Sequence, residues 1–409
     1  MLTKIGLLGV GPASVRAFST SFLTASRRAD YATNLRRDWG DAYSARTIPT
    51  KLLFDSLRDL ENKHYLANMK GAPLYCAAHR ALMSLAPDCE VKPALTISEI
   101  ENVLSDENGL AWIAIRELGD LGYCKQLAAA TEEQRAAILF CRVHGIGREY
   151  AKKFAAAGIR SLSELAEASE VDGKSITASM KLGIEHLDDL EKPIPRQEIV
   201  EFEQRLGGAL AHADKGLSFE IMGSYRRGEV VSSDIDVVIW HSDFKANGAT
   251  THGLMDKVVA SLVDSKILDQ AKILSGIGGV SGRHRGDRKR IIALTRPGGR
   301  GAPWRQMDIR LYPSDSLPYT LLSNTGDDGP MKIMRTIAKR KGLTLNEYGM
   351  GRKVDSKTNH SFATGSEIPA KSEEDIFQAL GLPYLEPAQR SYSTYSHILP
   401  RHVLSLAAA

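Results

Sequence analysis

The sequence has 409 residues, which exceeds one typical domain, so we expect roughly two to four compact units, each with its own core. No apolar run reaches the ~20 residues that a membrane-spanning helix requires, which excludes an integral membrane protein and predicts no membrane partner. The formal net charge is only +4, so binding to a polyanion depends on local clusters such as the run from Arg283 to Arg290. The four cysteines show no Cys-x-x-Cys spacing, which favours buried thiols in a reducing compartment.

The N-terminal segment differs in composition from the rest of the chain. The first 29 residues contain no acidic residue, and the basic residues among them are Lys4, Arg16, Arg27 and Arg28. Basic, Ser-rich and acid-poor composition is typical of a mitochondrial presequence, so residues 1–45 are predicted to be a presequence or disordered. We expect import into a mitochondrion, with a kinetoplast or another organelle nucleoid as the site of action. The alternative is a disordered basic tail on a nuclear protein.

Helical spacing dominates the first half of the chain. Apolar residues such as Leu53 and Leu57 recur at helical intervals, so residues 46–130 are predicted to form a small all-α domain. A second helical unit follows over residues 131–197, with the segment Val143-His144-Gly145-Ile146-Gly147 at a turn between two helices. Glycines at such a turn expose backbone N–H groups that can hold a DNA phosphate without reading its sequence. A helix C-cap uses glycine in the same way.

The pattern changes after residue 197. Short β-rich runs separated by Gly-rich and basic loops predict a sheet-bearing catalytic unit over residues 198–312. The runs are Phe219 to Met222, Ile235 to Trp240, Arg290 to Leu294 and Met307 to Leu311. Residues 313–409 combine a predicted helix from Pro330 to Lys341 with Gly- and Pro-punctuated segments, which predicts a small α/β subdomain. The predicted fold class is therefore α+β, with helical units ahead of a mixed sheet.

Two of the predicted strands carry aspartates on one face. Strand alternation puts Asp234 and Asp236 on one face and the apolar residues between and after them on the other. By the same alternation, Asp308 and Arg310 project away from the core face of their strand. Three carboxylates so close together repel one another unless a hard cation such as Mg²⁺ neutralises them. A single Asp-x-Asp run is more often a solvated face or turn, so the second strand is needed for the prediction.

The run Met222-Gly223-Ser224-Tyr225-Arg226-Arg227-Gly228 precedes these aspartates. Glycine followed by serine lets backbone N–H groups and a hydroxyl approach a phosphate, and Arg227 can add charge-assisted contacts to its oxygens. A glycine turn that only joins two strands would have the same sequence. The combination with the aspartate strands favours a nucleotide-phosphate site beside a metal site.

These motifs resemble the palm signature of the beta-like family X DNA polymerases. The matching residues are Gly-Ser-Tyr-Arg-Arg-Gly at 223–228, Ser-Asp-Ile-Asp-Val at 233–237 and Met-Asp-Ile-Arg-Leu at 307–311. The turn from Val143 to Gly147, with Ala151-Lys152-Lys153-Phe154 after it, resembles the family's helix-hairpin-helix, and Asn324-Thr325-Gly326 and Gly342 to Tyr348 resemble its closing C-terminal subdomain. The resemblance covers the chain from about Leu121 onward. It implies a nucleotidyltransferase palm between a helix-hairpin-helix subdomain and a nucleotide-selecting C-terminal subdomain.

The resemblance also assigns roles to single residues. It implies that Asp234 and Asp236 bind two Mg²⁺ or Mn²⁺ ions, and that Asp308 binds only the catalytic ion and helps accept the proton of the primer 3′-hydroxyl. The residues that it implies for dNTP binding are Arg196, Ser224, Arg227, Ser233 and Asp328. The residues that it implies for DNA binding are Gly145, Gly147, Arg310 and Arg335, with a monovalent Na⁺ or K⁺ ion at the hairpin glycines.

The implied function is a DNA-directed DNA polymerase that fills gaps in base excision repair or acts in organellar DNA replication and repair. Its expected partners are gapped or primed DNA, dNTPs, a DNA ligase and other repair proteins, and we expect a monomer. Two other functions stay open. One is a template-independent nucleotidyltransferase, terminal or RNA-tailing, which the N-terminal helices oppose. The other is a DNA-binding scaffold with an inactive palm, which the presence of all three carboxylates opposes.

The sequence departs from the family pattern at three places. The stretch from Gly109 to Arg116 matches the helix that carries the family's Schiff-base lysine, but the lysine position falls on Ala114 or Ile115. Neither can form an imine, so 5′-deoxyribose phosphate lyase activity is expected to be weak or absent. Ser323-Asn324 stands where relatives place an aromatic pair that crowds a ribose 2′-hydroxyl. Met331 stands where relatives place a residue that hydrogen-bonds the incoming base.

Overall fold

The computed structural model describes residues 31–104, 108–246, 253–275, 289–352, 362–363 and 365–390. The chain divides into two compact units. The first comprises Met1–Arg142 and Gly147–Ser161, and the second comprises Val143–Ile146 and Leu162–Ala409. In the described part of the chain, no helix combines the length and the apolar character needed to cross a membrane.

The first unit is mainly helical, as predicted, with one short antiparallel strand pair. Its elements are α1 (Tyr31–Trp39), β1 (Thr47–Pro49), α2 (Thr50–Leu66), α3 (Ala72–Met83), β2 (Ala94–Thr96), α4 (Ile97–Glu101), α5 (Gly109–Leu121), α6 (Lys125–Ala128), α7 (Glu132–Phe140) and α8 (Arg148–Ala156). Ile48 of β1 pairs with Leu95 of β2. The helical apolar positions Leu53 and Leu57 are fully buried with Leu82 of α3, so the predicted spacing does build the core of this unit.

The first unit begins earlier than the predicted boundary at residue 45. Leu35 of α1 is buried, the Trp39 indole Nε1 donates to Asp120 Oδ1 of α5 at 2.7 Å, and Arg116 of α5 lies 2.8 Å from Asp38. Residues 31–45 therefore contain ordered structure that packs within the first unit. The other predicted leader residues, 1–30, lie outside the described residues.

The hairpin subdomain predicted over residues 131–197 is divided between the two units. Helices α7 and α8 pack with α2 in the first unit, while the turn Val143–Ile146 belongs to the second unit. The sequence shows the amphipathic spacing of these helices. It does not show which part of the chain their apolar faces pack against. The predicted bounds of this and the other domains stay predictions.

All four cysteines are free thiols. Cys124 is buried, whereas Cys76, Cys89 and Cys141 are only half-buried, so burial is less complete than the sequence analysis expected. Burial raises the pKa of the Cys124 and Cys141 thiols to about 11, which disfavours their reactive thiolate forms.

The second unit holds the sheet. Its first elements are α9 (Leu162–Glu167), β3 (Glu170–Val171), β4 (Lys174–Ser175), α10 (Ala178–Glu185), α11 (Leu187–Leu190), β5 (Ile194–Pro195), α12 (Arg196–Ala213), β6 (Leu217–Ile221), α13 (Gly223–Arg226), β7 (Val231–Ser232) and β8 (Ile235–His241). The elements that follow are α14 (Leu254–Asp264), β9 (Ile273–Ser275), β10 (Arg290–Thr295), β11 (Arg305–Pro313), α15 (Leu317–Thr325), α16 (Asp328–Arg340), β12 (Thr344–Asn346), β13 (Gly349–Gly351) and α17 (Glu373–Leu380).

The central sheet has five strands in the order β6-β8-β11-β10-β9. Strands β8 and β11 run parallel, and the other neighbouring pairs are antiparallel, so the sheet is mixed as predicted. One face of the sheet packs on α12 and α14, and its buried apolar residues are Ile235, Val237, Ile239, Met307, Ile309 and Leu311. The opposite face of β8 and β11 carries Asp236 and Asp308 together with the buried Val238 and Tyr312.

The C-terminal part of the second unit has a small core of its own. Leu322 of α15, Met334 of α16 and Phe377 of α17 are buried together beside the β12-β13 hairpin. The described residues of this part therefore combine helices with a short antiparallel sheet, as predicted. Helix α16 begins at Asp328, two residues before the predicted start, because the Asp327 side chain caps it by accepting from the Asp328 backbone N–H at 2.7 Å.

Candidate active site

The parallel pairing of β8 and β11 brings the predicted carboxylates together. Its register places Asp308 directly opposite Asp236, and Asp234 immediately precedes β8. Adjacent strands lie about 4.8 Å apart, so side chains from paired positions on one face are neighbours. Asp236 and Asp308 therefore lie side by side, and the negative charge of Asp234 also acts on Asp236.

Asp308 is almost fully buried but is held by two arginines. Its side chain is 4 % exposed. Arg290 of β10 donates from Nε to Oδ1 at 3.0 Å and from Nη2 to Oδ2 at 2.7 Å, and Arg310 donates from Nε and Nη2 to Oδ2 at 3.0 and 2.5 Å. Burial alone would raise the pKa of Asp308, but these hydrogen bonds hold it below its ordinary value. Asp308 is therefore an ionised group at neutral pH.

Asp236 has the opposite electrostatic environment. Burial, together with the negative charges of Asp234 and Asp308, raises the pKa of Asp236 to about 7. Gly223 approaches this carboxylate closely, because a Cβ atom there would lie only 2.6 Å from Asp236 Oδ2. The φ angle of Gly223 is +58°, which also favours glycine. The close approach of the Asp236 carboxylate thus leaves no room for a side chain at position 223.

The donor chemistry of this site fits a hard divalent cation. Carboxylate oxygens are the ligands that Mg²⁺ prefers, and a cation bound here would offset both the burial and the neighbouring negative charges that raise the pKa of Asp236. Within the described residues, however, no three His, Cys, Asp or Glu side chains are grouped so as to hold a metal ion. The third carboxylate, Asp308, is bonded to guanidinium groups instead.

The Gly-Ser run lies beside Asp236 and forms a helical turn. Residues Gly223–Arg226 form the short helix α13, which is fixed to β8 by a hydrogen bond from the Met222 backbone N–H to the Asp236 carbonyl at 2.8 Å. Ser224 Oγ donates to Ser232 Oγ at 2.8 Å. The predicted phosphate contact Ser224 is therefore beside the carboxylates, at the start of a helical turn.

Two of the other predicted phosphate contacts surround this turn. Arg196, at the start of α12, donates from Nη1 to the Tyr225 carbonyl at 2.7 Å and lies over the Tyr225 ring. Ser233 is exposed in the short link between β7 and β8. Arg227 donates from Nη1 to the Thr325 carbonyl of α15 at 2.7 Å. Arg196 is thus fixed to the Gly-Ser turn, Ser233 directly precedes Asp234 in the chain, and Arg227 faces the C-terminal part of the unit.

Two residues of α16, Asp328 and Arg335, are predicted to contact the nucleotide and the DNA, and they lie two helical turns apart. Asp328 and Arg335 are exposed, whereas Met331 is buried between them in the small C-terminal core. The structure describes no contact from Asp328 or Arg335 to the carboxylates. Asn324 is nearer to the site, since it accepts from Arg310 Nη1 at 3.4 Å and donates to the Thr320 carbonyl.

The hairpin glycines have the predicted turn geometry. Gly145 has a φ angle of +85°, and Gly147 caps the N-terminus of α8 with open space around its Cα. His144 of the same turn hydrogen-bonds with Gln306 of β11, and burial lowers the pKa of His144 below its ordinary value. The contact with Gln306, next but one to Asp308, was not anticipated from the sequence.

Two buried carboxylates have arginine partners that could not be recognised from the sequence. Arg290 was noted only as part of a basic run, and nothing in the local pattern linked it to Asp308. Arg226 of α13 donates to Glu373 Oε2 of α17 at 2.8 Å, and Arg390 donates to Glu373 Oε1 at 2.5 Å. These contacts of Glu373 tie the Gly-Ser turn to the C-terminal part of the unit through a side chain that is only 8 % exposed.

The helix that would carry a Schiff-base lysine is α5 in the first unit. Ala114 and Ile115, the two residues at the lysine position, are both buried in its core. Two lysines of the first unit lie outside this helix: Lys92 pairs with Glu99 at 2.7 Å, and Lys125 is exposed at the start of α6.

The chain matches three protein-family models. These are the DNA polymerase beta palm over residues 193–314, the DNA polymerase beta thumb over residues 320–391 and the fingers domain of DNA polymerase lambda over residues 138–191. The palm match contains all three aspartates and the Gly-Ser turn.

Similar proteins include DNA polymerase lambda of Rattus norvegicus, 29% identical over 68% of this chain and 46% of the relative. DNA polymerase lambda of Arabidopsis thaliana is 31% identical over 64% of this chain and 47% of the relative. DNA-directed DNA/RNA polymerase mu of Homo sapiens is 26% identical over 78% of this chain and 64% of the relative. The chain thus spans about half the length of the two lambda relatives.

The raised pKa of Asp236 predicts how stability depends on pH. The folded-state pKa of Asp236 is about 7, above the ordinary 3.8. The contribution of Asp236 to the free energy of unfolding is therefore fully present below the unfolded-state pKa and is lost as the pH rises through about 7. In EDTA at pH 8, Asp236→Asn should therefore be more stable than the parent by about 2 kcal/mol, and the difference should shrink at pH 5. Thermal unfolding at both pH values measures this. Asp188→Asn, at an exposed position, is the control, and an Asp236→Asn chain that is less stable at pH 8 contradicts the assignment.

Proposed function

We propose that this chain, which belongs to family X of the DNA polymerases, is a DNA-directed DNA polymerase that adds deoxynucleotides to a primer 3′-hydroxyl. The observation that carries the proposal is the register of β8 and β11, which places Asp308 opposite Asp236. A one-residue shift would turn Asp308 into the core, so this register is needed for any chemistry that uses the three carboxylates together.

Asp234, Asp236 and Asp308 are the residues that would hold two Mg²⁺ or Mn²⁺ ions. Such ions, when bound, lower the pKa of an attacking hydroxyl and stabilise the charge on the leaving pyrophosphate. Asp308 supplies an anionic oxygen on the primer side, because its hydrogen bonds from two arginines keep it ionised. Asp236 must lose its proton before it can act as a ligand, since its pKa is about 7.

The residues around α13 would bind the triphosphate. Backbone N–H groups at the start of this turn, the Ser224 hydroxyl and the exposed Ser233 lie beside the carboxylates. Arg196 supplies positive charge next to them, and Arg227 could reach the same phosphates if it exchanged its bond to the Thr325 carbonyl for a phosphate oxygen. Asp328 and Arg335 would contact the nucleotide and the template from the exposed face of α16.

The hairpin turn and Arg310 of the central strand β11 would bind gapped or primed DNA. Gly145 and Gly147 would position a DNA phosphate, with a Na⁺ or K⁺ ion at their carbonyls, and Arg310 lies at the carboxylates. Gap filling in base excision repair or organellar DNA replication and repair would follow from this activity. A DNA ligase and other repair proteins would act on the product, and the chain would work as a monomer.

The first test is incorporation on a one-nucleotide gapped duplex. The parent should add the templated dNTP, and Asp308→Asn should slow incorporation by about a thousandfold or more, because the charge that it contributes at the reacting centre is lost. Asp264→Asn, at an exposed position on α14, should retain the parent rate. Equal extension of single-stranded primers would favour a template-independent enzyme, and no incorporation by the parent would favour a scaffold.

We further propose that lyase activity on 5′-deoxyribose phosphate is weak or absent. The proposal is supported by the buried apolar residues Ala114 and Ile115 at the position of the imine-forming lysine. Borohydride treatment of the chain with an incised abasic duplex should trap no covalent adduct above the level of a chain blocked by lysine acetylation. A trapped adduct that Lys92→Ala or Lys125→Ala removes would show that another lysine has taken over this chemistry.

We also propose import into a mitochondrion, supported by the acid-free basic composition of residues 1–29. Residues 1–30, which precede the folded helix α1, should direct a fused fluorescent protein to mitochondria or their nucleoids. The matched control replaces Lys4, Arg16, Arg27 and Arg28 with glutamine, which removes the charges and should leave the fusion in the cytosol. Diffuse cytosolic or nuclear fluorescence of the unmodified fusion would contradict the proposal.

A further inference from the structure

Arg290 reaches Asp308 from the neighbouring strand. In the β10-β11 register, Ile292 lies opposite Asp308 and Arg290 lies opposite Arg310, so Arg290 is a diagonal neighbour of Asp308 on the same face of the sheet. Its guanidinium binds both carboxylate oxygens, at 3.0 Å from Nε and 2.7 Å from Nη2. This two-point geometry is the strong form of an arginine-carboxylate pair.

The two arginines on Asp308 are not equivalent. Arg310 binds only Oδ2 and also donates to Asn324. Arg290 is the one donor to Oδ1 among the described residues, and Asp308 is its one described hydrogen-bond partner. The Arg290 side chain is also more exposed, at 52 % against 33 % for Arg310. Arg290 can therefore leave Asp308 at little cost to other contacts, and its departure would open Oδ1.

The charge balance gives this contact a consequence for cation binding. With Asp234 and Asp236, Asp308 forms a group of three carboxylates, and two guanidinium groups leave it with one formal negative charge. Without Arg290 the group would carry two formal negative charges. Attraction for a divalent cation rises with that charge, most strongly where water is partly excluded.

We infer that Arg290 is a positioning residue that competes with a divalent cation for Asp308 and so lowers the affinity of the substrate-free chain for that cation. The inference deepens the proposed function and rests on its assignment of Asp308 as a metal ligand. Arg290 holds the carboxylate in place while the site lacks substrate. Cation binding at Oδ1 requires that the hydrogen bond from Arg290 break. Polyanionic substrates offer negative charges to both the cation and Arg290, so they favour binding of the cation at Asp308.

The test is Mn²⁺ binding to the full chain without DNA or nucleotide, with free Mn²⁺ measured by electron paramagnetic resonance. Arg290→Gln should lower the dissociation constant by about tenfold, as expected for the loss of one repulsive charge at a partly exposed site. Arg290→Lys, which keeps the charge but not the two-point geometry, should lie between the parent and Arg290→Gln. Arg300→Gln removes the same charge from the exposed turn at the far end of the β10-β11 hairpin and should match the parent.

The sign of the effect separates competition from a structural role. Loss of a merely structural arginine would weaken Mn²⁺ binding or leave it unchanged, and either result in Arg290→Gln overturns the inference. Equal tightening in Arg300→Gln also overturns it, because the effect would then be one of overall charge. In an Asp308→Asn background, the tightening caused by Arg290→Gln should disappear, and its persistence would show that Asp308 is not the group for which the two compete.

The same titration distinguishes this inference from the proposed function. Asp236→Asn should weaken Mn²⁺ binding in every background. If it does not, the carboxylates are not the metal site and the proposed mechanism fails. If Asp236→Asn weakens binding while Arg290→Gln matches the parent, the metal site stands and only the role of Arg290 is wrong.

Discussion

The parallel pairing of β8 with β11 is the constraint on which the site depends. Because strand side chains alternate, the register that buries Ile235, Met307 and their neighbours in the core is the one that sets Asp236 beside Asp308 on the other face. A slip by one residue would exchange the two faces and place apolar side chains where the carboxylates now lie. The hydrophobic core of the sheet therefore fixes the geometry of the acidic group, and the turn at Gly223 and the start of α12 are fitted around it.

Burial makes this arrangement electrostatically costly in a cation-free protein. An ionised carboxylate taken out of water requires partners, and Asp308 obtains them from Arg290 and Arg310. Asp236 faces two carboxylates instead, and its pKa rises accordingly. Arg290 and Arg310 thus supply positive charge at the carboxylate that the proposed mechanism assigns to a divalent cation.

Much of this could be predicted from the sequence because it depends on local periodicity. Alternation alone placed Asp234, Asp236 and Asp308 on one face, and the strands and the helix α16 lie within a few residues of their predicted bounds. The burial of Leu35 could not be predicted because it depends on packing against α5, which is distant in the sequence. The contact between Arg290 and Asp308 was missed for a similar reason, since it exists only once β10 and β11 are neighbours. Local pattern also could not show that the Gly-Ser run would form a helical turn.

The most direct test of the central claim is the location of Mn²⁺, by anomalous scattering, in crystals of the chain with one-nucleotide gapped DNA and a non-hydrolysable dNTP analogue. The account predicts two peaks about 3.5–4 Å apart, both bound by Asp234 and Asp236 and one bound also by Asp308, with the Arg290 bond to Oδ1 broken. Peaks that lie away from these carboxylates, or an Asp308 that contacts only its two arginines in the loaded complex, would contradict it.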